Sequence, residues 1–297
     1  MKDYVEENER ILEEWCKKFV EDKKEDEAYK GYKVEDYFAN DGIKNKGKFY
    51  IDEPPYDGVI RRKENKKENE LWAECPLRVL FLTKDENTGG NKAWDVRTET
   101  FYEKGYGLPP QNKIVSSSFF YQNEASLLYG LLNTSTMEDG MMRYDGFSWE
   151  EALSFSDEII FARINCKKET GGPEISNKIL EDAIKEYYNY LKDQILNLDA
   201  DILVCCGSQN GKNLILNTVY EIYKNEFEYV NCIDGKGTGM HYNSKRNKLA
   251  IDAYHLAYRG NGYLEARYNE TVGMYYEFLK YLKKEKGIDF TASHRKV

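Results

Sequence analysis

The stretch Leu191–Ile215, LKDQILNLDADILVCCGSQNGKNLI, decides the fold. It continues an apolar period that starts at Leu180 and passes through Ile184, Tyr188, Leu191, Ile195 and Leu198, with Ser176 placed to cap the helix. Asp199-Ala200-Asp201 breaks that period. Asp201 to Cys206 then reads as a short strand with an apolar body, closed by Gly207, and a further helix reaches about Tyr223. Helix, turn, buried strand, turn and helix make up the repeating unit of a parallel sheet covered on both faces.

The same grammar extends outward in both directions. Leu77–Leu82 and Glu158–Ile164 read as strands, with a helix over Asn123–Leu132 between them. Glu228–Ile233, Thr238–Tyr242 and Leu249–Tyr254 read as further strands, the last two joined by the turn Asn243–Asn247. Tyr263–Lys284 reads as a closing helix. At the other end, Val5, Ile11, Leu12, Trp15, Phe19 and Val20 form one apolar stripe of an amphipathic helix from Tyr4 to about Asp22. From Gly31 the pattern dissolves into polar sequence that ends in the charge run RRKENKKENE (Arg61–Glu70). Residues 1–70 are therefore read as an N-terminal helical and irregular extension packed on an α/β domain over 71–297. No internal repeat is visible.

Composition narrows the function classes. A hydrophobic share of 41% supports a packed core. The net charge of −9 argues against indiscriminate coating of nucleic acid, though it leaves room for a locally basic cleft. The cysteines are scattered and the N-terminus is charged from Lys2 onward with no apolar leader, so a reducing cytoplasm with free thiols is expected. Cys205 and Cys206 read as buried structural thiols. No run is long enough to span a membrane. The separated histidines and the lack of Cys-x-x-Cys give no metal-ligand spacing. Neither a Gly-x-Ser-x-Gly elbow nor a phosphate-loop Gly-Lys-Ser/Thr is present.

Chemistry concentrates where three strands end. The segments VLFLTKDENTGG (Val79–Gly90), IIFARINCKK (Ile159–Lys168) and LAIDAYHLAYRG (Leu249–Gly260) each break from an apolar run into polar residues. They deliver Asp85, Asn165 and His255 to one rim of the sheet, where ligands of such folds bind. A carboxylate, an amide and an imidazole there can act as base, recognition group and anion stabiliser. Each also has a plainer role: Asp85 as a solvated or capping acid, Asn165 as a turn-former, His255 as a structural histidine.

In order and spacing these motifs resemble the uracil-DNA glycosylase superfamily. KDENTGG stands for its acidic motif, RINCKKETGG for its Asn-bearing motif, the opening stretch for its Gly-terminated strand, and AYHLAYRG for its His motif. The resemblance covers roughly residues 75–285. It implies a three-layer α/β/α domain with a central, mainly parallel four-stranded sheet, and a DNA glycosylase that flips a pyrimidine out of DNA and hydrolyses its N-glycosidic bond. The alternative it leaves open is a non-catalytic member of the fold that binds nucleic acid, nucleotide or protein. The chain departs from the best-known branch, with Thr83-Lys84-Asp85-Glu86-Asn87 for Gly-Gln-Asp-Pro-Tyr and His255-Leu256-Ala257 for His-Pro-Ser. Cys16 and Cys75 do not form the close pair that an iron–sulfur branch needs, so no cofactor, metal or cluster is expected.

Carried over residue by residue, the resemblance makes Asp85 the acid that orients water and steadies a cationic sugar, with Glu86 in reserve. Asn165 would read the base edge, and His255 would meet the charge that builds on the leaving base. Phe119 or Phe120 would be the stacking platform. Tyr258 and Arg259 fall where a wedge enters the duplex, and Lys84, Lys167, Lys168, Lys245, Arg246 and Arg259 could line a cationic strip for phosphates. Asn87 replaces a bulky Tyr and would open the pocket to a 5-substituted pyrimidine. His241 and His294 are given no catalytic role.

Overall fold

The computed structural model describes residues 2–44, 68–86, 88–89, 91–98, 119–137, 140–172, 175–208, 212–231, 239–257 and 263–294. Asn87, Tyr258 and Arg259 lie outside them. The strands are β1 (Gly42–Ile43), β2 (Val79–Thr83), β3 (Ala162–Asn165), β4 (Ile202–Ser208), β5 (Glu228–Val230), β6 (Gly239–Asn243) and β7 (Lys248–Tyr254). They form one mixed sheet in the order β1-β3-β2-β4-β7-β6-β5. The sheet thus has seven described strands where four were expected. Its centre, β3-β2-β4-β7, is parallel, while β1, β6 and β5 pair antiparallel at the two sides.

Period-2 alternation along the central strands builds two apolar layers. Leu80, Leu82, Leu203, Cys205 and Ala250 face one way, against α1 (Tyr4–Lys23), α5 (Asn177–Glu186), α6 (Tyr188–Leu198) and α7 (Leu214–Ile222). Val79, Phe81, Val204, Cys206 and Ile251 face the other way, against α3 (Phe119–Thr134), α4 (Trp149–Glu158), α8 (Tyr263–Tyr281) and α9 (Phe290–His294). A short α2 (Glu68–Glu74) adds Trp72 to the first layer. Helices on both faces of this mixed sheet make it an α/β protein. Among the described residues no helix is long and apolar enough to cross a membrane.

Local chemistry accounts for the boundaries. Asp3 accepts from the Glu6 amide to open α1, Ser176 accepts from Ile179 to open α5, and Asn213 accepts from Leu216 to open α7. The helical run from Ser176 to Leu198 is two helices. Tyr187 leaves helical geometry at φ −114° and ψ 24°, and its ring packs on Trp15 and Phe19 of α1. The strand expected over 158–164 starts later, because Ser148 caps a helix that runs on to Glu158 and pairing with β2 begins only at Ala162.

The N-terminal segment is built into this core. Trp15 and Phe19 are buried, Trp15 stacks on Tyr190 of α6, and β1 pairs with β3 along the sheet edge.

Candidate functional site

The parallel pairing of β2 and β3 does not stop where the strands do. Cys166 donates to the Thr83 carbonyl at 2.9 Å and Lys167 to the Lys84 carbonyl at 2.8 Å. Further along, Gly171 donates to the Glu86 carbonyl at 3.0 Å and Thr88 to the Gly171 carbonyl at 3.2 Å. Four backbone bonds therefore stitch the two loops together beyond the sheet and hold Asp85 between them.

Asn165 is the last residue of β3, is buried at 3% exposure and faces Thr83 across the ladder, so it lies beneath the rim rather than on it. The Thr83 hydroxyl donates to Asn165 Oδ1 at 2.6 Å, which sets the plane of the amide while leaving its second lone pair. Asp85 lies two residues beyond Thr83. It is half-buried, and its Oδ2 has no hydrogen-bond partner among the described residues. Burial raises the Asp85 pKa above the usual carboxylate value, with Lys167 and then Lys84 opposing the shift. Glu86, the reserve acid, is buried at 5% exposure and turns into the protein, so Asp85 is the carboxylate at the rim.

His255 follows β7 directly, with β4 between β7 and β2. Two strand spacings amount to roughly 10 Å, and Lys84 lies near enough to both Asp85 and His255 to shift each electrostatically. Burial, and then the Lys84 charge, pushes His255 down to about 4. The Ala257 amide donates to Nδ1 at 3.2 Å. Nδ1 is then the acceptor of a neutral ring and Nε2 carries the proton.

A pH prediction follows. The folded pKa of His255 is depressed, so its neutral state stabilises the fold fully above about 6.5, the unfolded value. That contribution is lost as pH falls toward about 4. NMR titration of the ring should give a midpoint near 4. His241 is also pushed to about 4 by burial, so a His241→Gln variant secures the assignment. A His255 midpoint near 6.5 would contradict the geometry.

Of the two aromatic candidates, Phe120 is the one beside His255, edge-on at 6.2 Å, while Phe119 is 40% exposed at the start of α3. The Arg163 guanidinium lies 5.3 Å from the Phe120 ring and pairs with buried Glu124 at 3.1 Å. Asn123 Nδ2 donates to the Leu256 carbonyl and fastens α3 to the His255 loop. Asn123, Ser126, His255, Arg267 and Thr271 line a cleft between α3 and α8 at this end of the sheet. Apart from His255, these residues belong to no motif in the sequence.

The expected cationic strip is corrected in several places. Lys168 is 2% exposed, and its amine donates to both Asp41 oxygens at 2.6 Å and to Gln194 Oε1 at 2.9 Å. It cannot reach a phosphate. Lys84 and Lys167 are each 7% exposed, and the Lys167 amine donates to the Glu169 carbonyl at 2.6 Å. These lysines follow buried strand ends and share their burial. Lys245 and Arg246 pair with Glu226 on the β6–β7 turn. That turn precedes β7, so it lies at the far end of the strand from His255, roughly 20 Å away.

The five described cysteines are free. Among the described residues no group of three or more His, Cys, Asp and Glu side chains could hold a metal ion. No protein-family model, curated protein or solved structure matches this chain.

Proposed function

We propose that this protein hydrolyses the N-glycosidic bond of a pyrimidine nucleotide, acting as a DNA glycosylase on a base turned out of the helix. What supports the reading is that Asp85 and His255 follow, and Asn165 ends, parallel strands at the same end of the sheet. Breaking the C1′–N1 bond leaves positive charge on the sugar and negative charge on the base. Asp85 carboxylate meets the first and orients the water that adds to C1′. His255 Nε2–H donates to the pyrimidine O2 as the second develops. The departing base takes its proton from water, leaving free base and an abasic sugar. Asn165 pairs with the base edge, and Phe120 offers a face for stacking.

The inward burial of Lys84, Lys167 and Lys168 favours a second reading, in which the same bond is cut in a free nucleoside or nucleotide. One experiment tests both. Single- and double-stranded oligonucleotides bearing uracil, thymine or a 5-substituted pyrimidine are incubated with the protein and probed for alkali-labile abasic sites. Free nucleosides are assayed alongside for released base. Abasic sites, with 5-substituted pyrimidines cleaved at least as well as uracil, are the expected result. Cleavage of uracil alone would remove the proposed tolerance at the 5-position. Release from nucleosides only would transfer the activity to the second reading, and no release from any substrate would refute both.

A further inference from the structure

Gly171 stands where the loop after β3 crosses the loop after β2. Its amide and its carbonyl are both committed, to the Glu86 carbonyl and the Thr88 amide. Its backbone does not adopt a positive φ, so no conformational argument demands glycine there. Space makes the demand. A Cβ at 171 would lie 2.2 Å from Asp85 Oδ2 and 3.4 Å from Asp85 Cγ, with Lys167 Nζ next at 3.9 Å. The neighbouring Gly172 has nothing among the described residues within 4 Å of the same construction. The space beside one of two adjacent glycines is thus filled by the Asp85 carboxylate, and the other meets no described residue.

The orphaned atom fits this picture. Asp85 Oδ2 is the buried oxygen without a hydrogen-bond partner among the described residues, and it points at the Gly171 backbone. A carboxylate oxygen held against a Cα hydrogen gains only a weak contact. It is kept there by the stitched loops and costs stability. We infer that Gly171 is a positioning residue for Asp85: by carrying no side chain it admits the carboxylate into the crossing of the two loops and fixes where its other oxygen faces substrate. The effect on turnover rests on the glycosidase reading above; the effect on Asp85 itself does not.

The test compares Gly171→Ala with Gly172→Ala in the full chain. Alanine at 171 displaces the carboxylate by about 1 Å, a scale of misalignment that costs about 100-fold in rate. The expected result is a kcat for base release about 100-fold lower in Gly171→Ala and unchanged in Gly172→Ala. Thermal unfolding midpoints of both variants should match the wild type, because the group that must yield is the end of a side chain. A second readout needs no substrate. The Asp85 carboxyl carbon, assigned by NMR against Asp85→Asn, should titrate lower in Gly171→Ala as the group is pushed toward water. Wild-type kcat together with an unchanged Asp85 titration in Gly171→Ala would overturn the inference. A shifted titration in a protein that releases no base would support it while removing the glycosidase reading. If Gly171→Ala does not fold, the Asp85→Ala/Gly171→Ala double variant decides. Recovery of the fold supports the inference, and continued unfolding overturns it.

Discussion

Lys168→Met is expected to destabilise the protein by about 3–5 kcal/mol, the usual result of leaving one member of a buried ion pair alone. Asp41 and Lys168 are almost fully buried, and the pair lies inside a wider polar network. Gln194 Nε2 donates to Asp41 Oδ1 at 2.8 Å and to Asn8 Oδ1 at 3.0 Å, and Asn8 Nδ2 donates to the Asp41 carbonyl at 2.9 Å. The Lys168 amine also lies 4.8 Å from the Trp15 ring. Burial pulls the Lys168 pKa down and Asp41 opposes the fall. Removing the amine strands a carboxylate at the centre of this network. The same carboxylate accepts from the Asn165 backbone N–H at 2.8 Å, so damage should spread to the end of β3. Urea denaturation measures the loss. A cost below about 1 kcal/mol would mean that the pair carries little of the fold, as a surface pair does. The Asp41→Leu/Lys168→Met double variant should be milder than either single change, since no charge is then stranded.

Asp85→Asn should lower base release by about 10²–10⁴-fold, the range for loss of one acid–base group. Its thermal midpoint should stay level or rise. The two halves of this expectation share a cause. A carboxylate whose buried oxygen has no partner among the described residues weakens the fold, so its neutral isostere relieves the molecule while removing the charge proposed to face the sugar. The pH profile adds a sign. Burial raises the Asp85 pKa, so the ionised form is lost at a higher pH than for an ordinary aspartate. Wild-type activity should therefore show an acid limb displaced upward by that shift. Full activity in Asp85→Asn would sink the assignment of this residue.

Much of the sheet was legible because its central strands are short apolar runs between turn signals, as in Ile202–Cys206 and Leu249–Tyr254. Capping was legible at Ser176, where side chain and helix start lie within a few residues. What stayed hidden depends on partners far along the chain. β1 has two residues and no periodicity, and it exists because it pairs with Ala162 and Arg163. Lys168 has the sequence of a surface lysine, and Asp41, 127 residues away, together with Gln194 makes it a core residue. The candidate site divides the same way. Asp85, Asn165 and His255 could be read from strand ends, whereas Asn123 and Gly171 matter only through what the fold sets against them.

The docking of α1 against α6 has a consequence for biosynthesis. Ile11, Leu12, Trp15 and Phe19 are translated well before Leu198, and the surface that covers them is complete only when Leu198 has followed. At roughly 5–20 residues per second, that delay is on the order of ten seconds or longer. Throughout it, Trp15 and Phe19 lack the surface that buries them in the folded protein, so the segment stays apolar and uncovered until α6 is made.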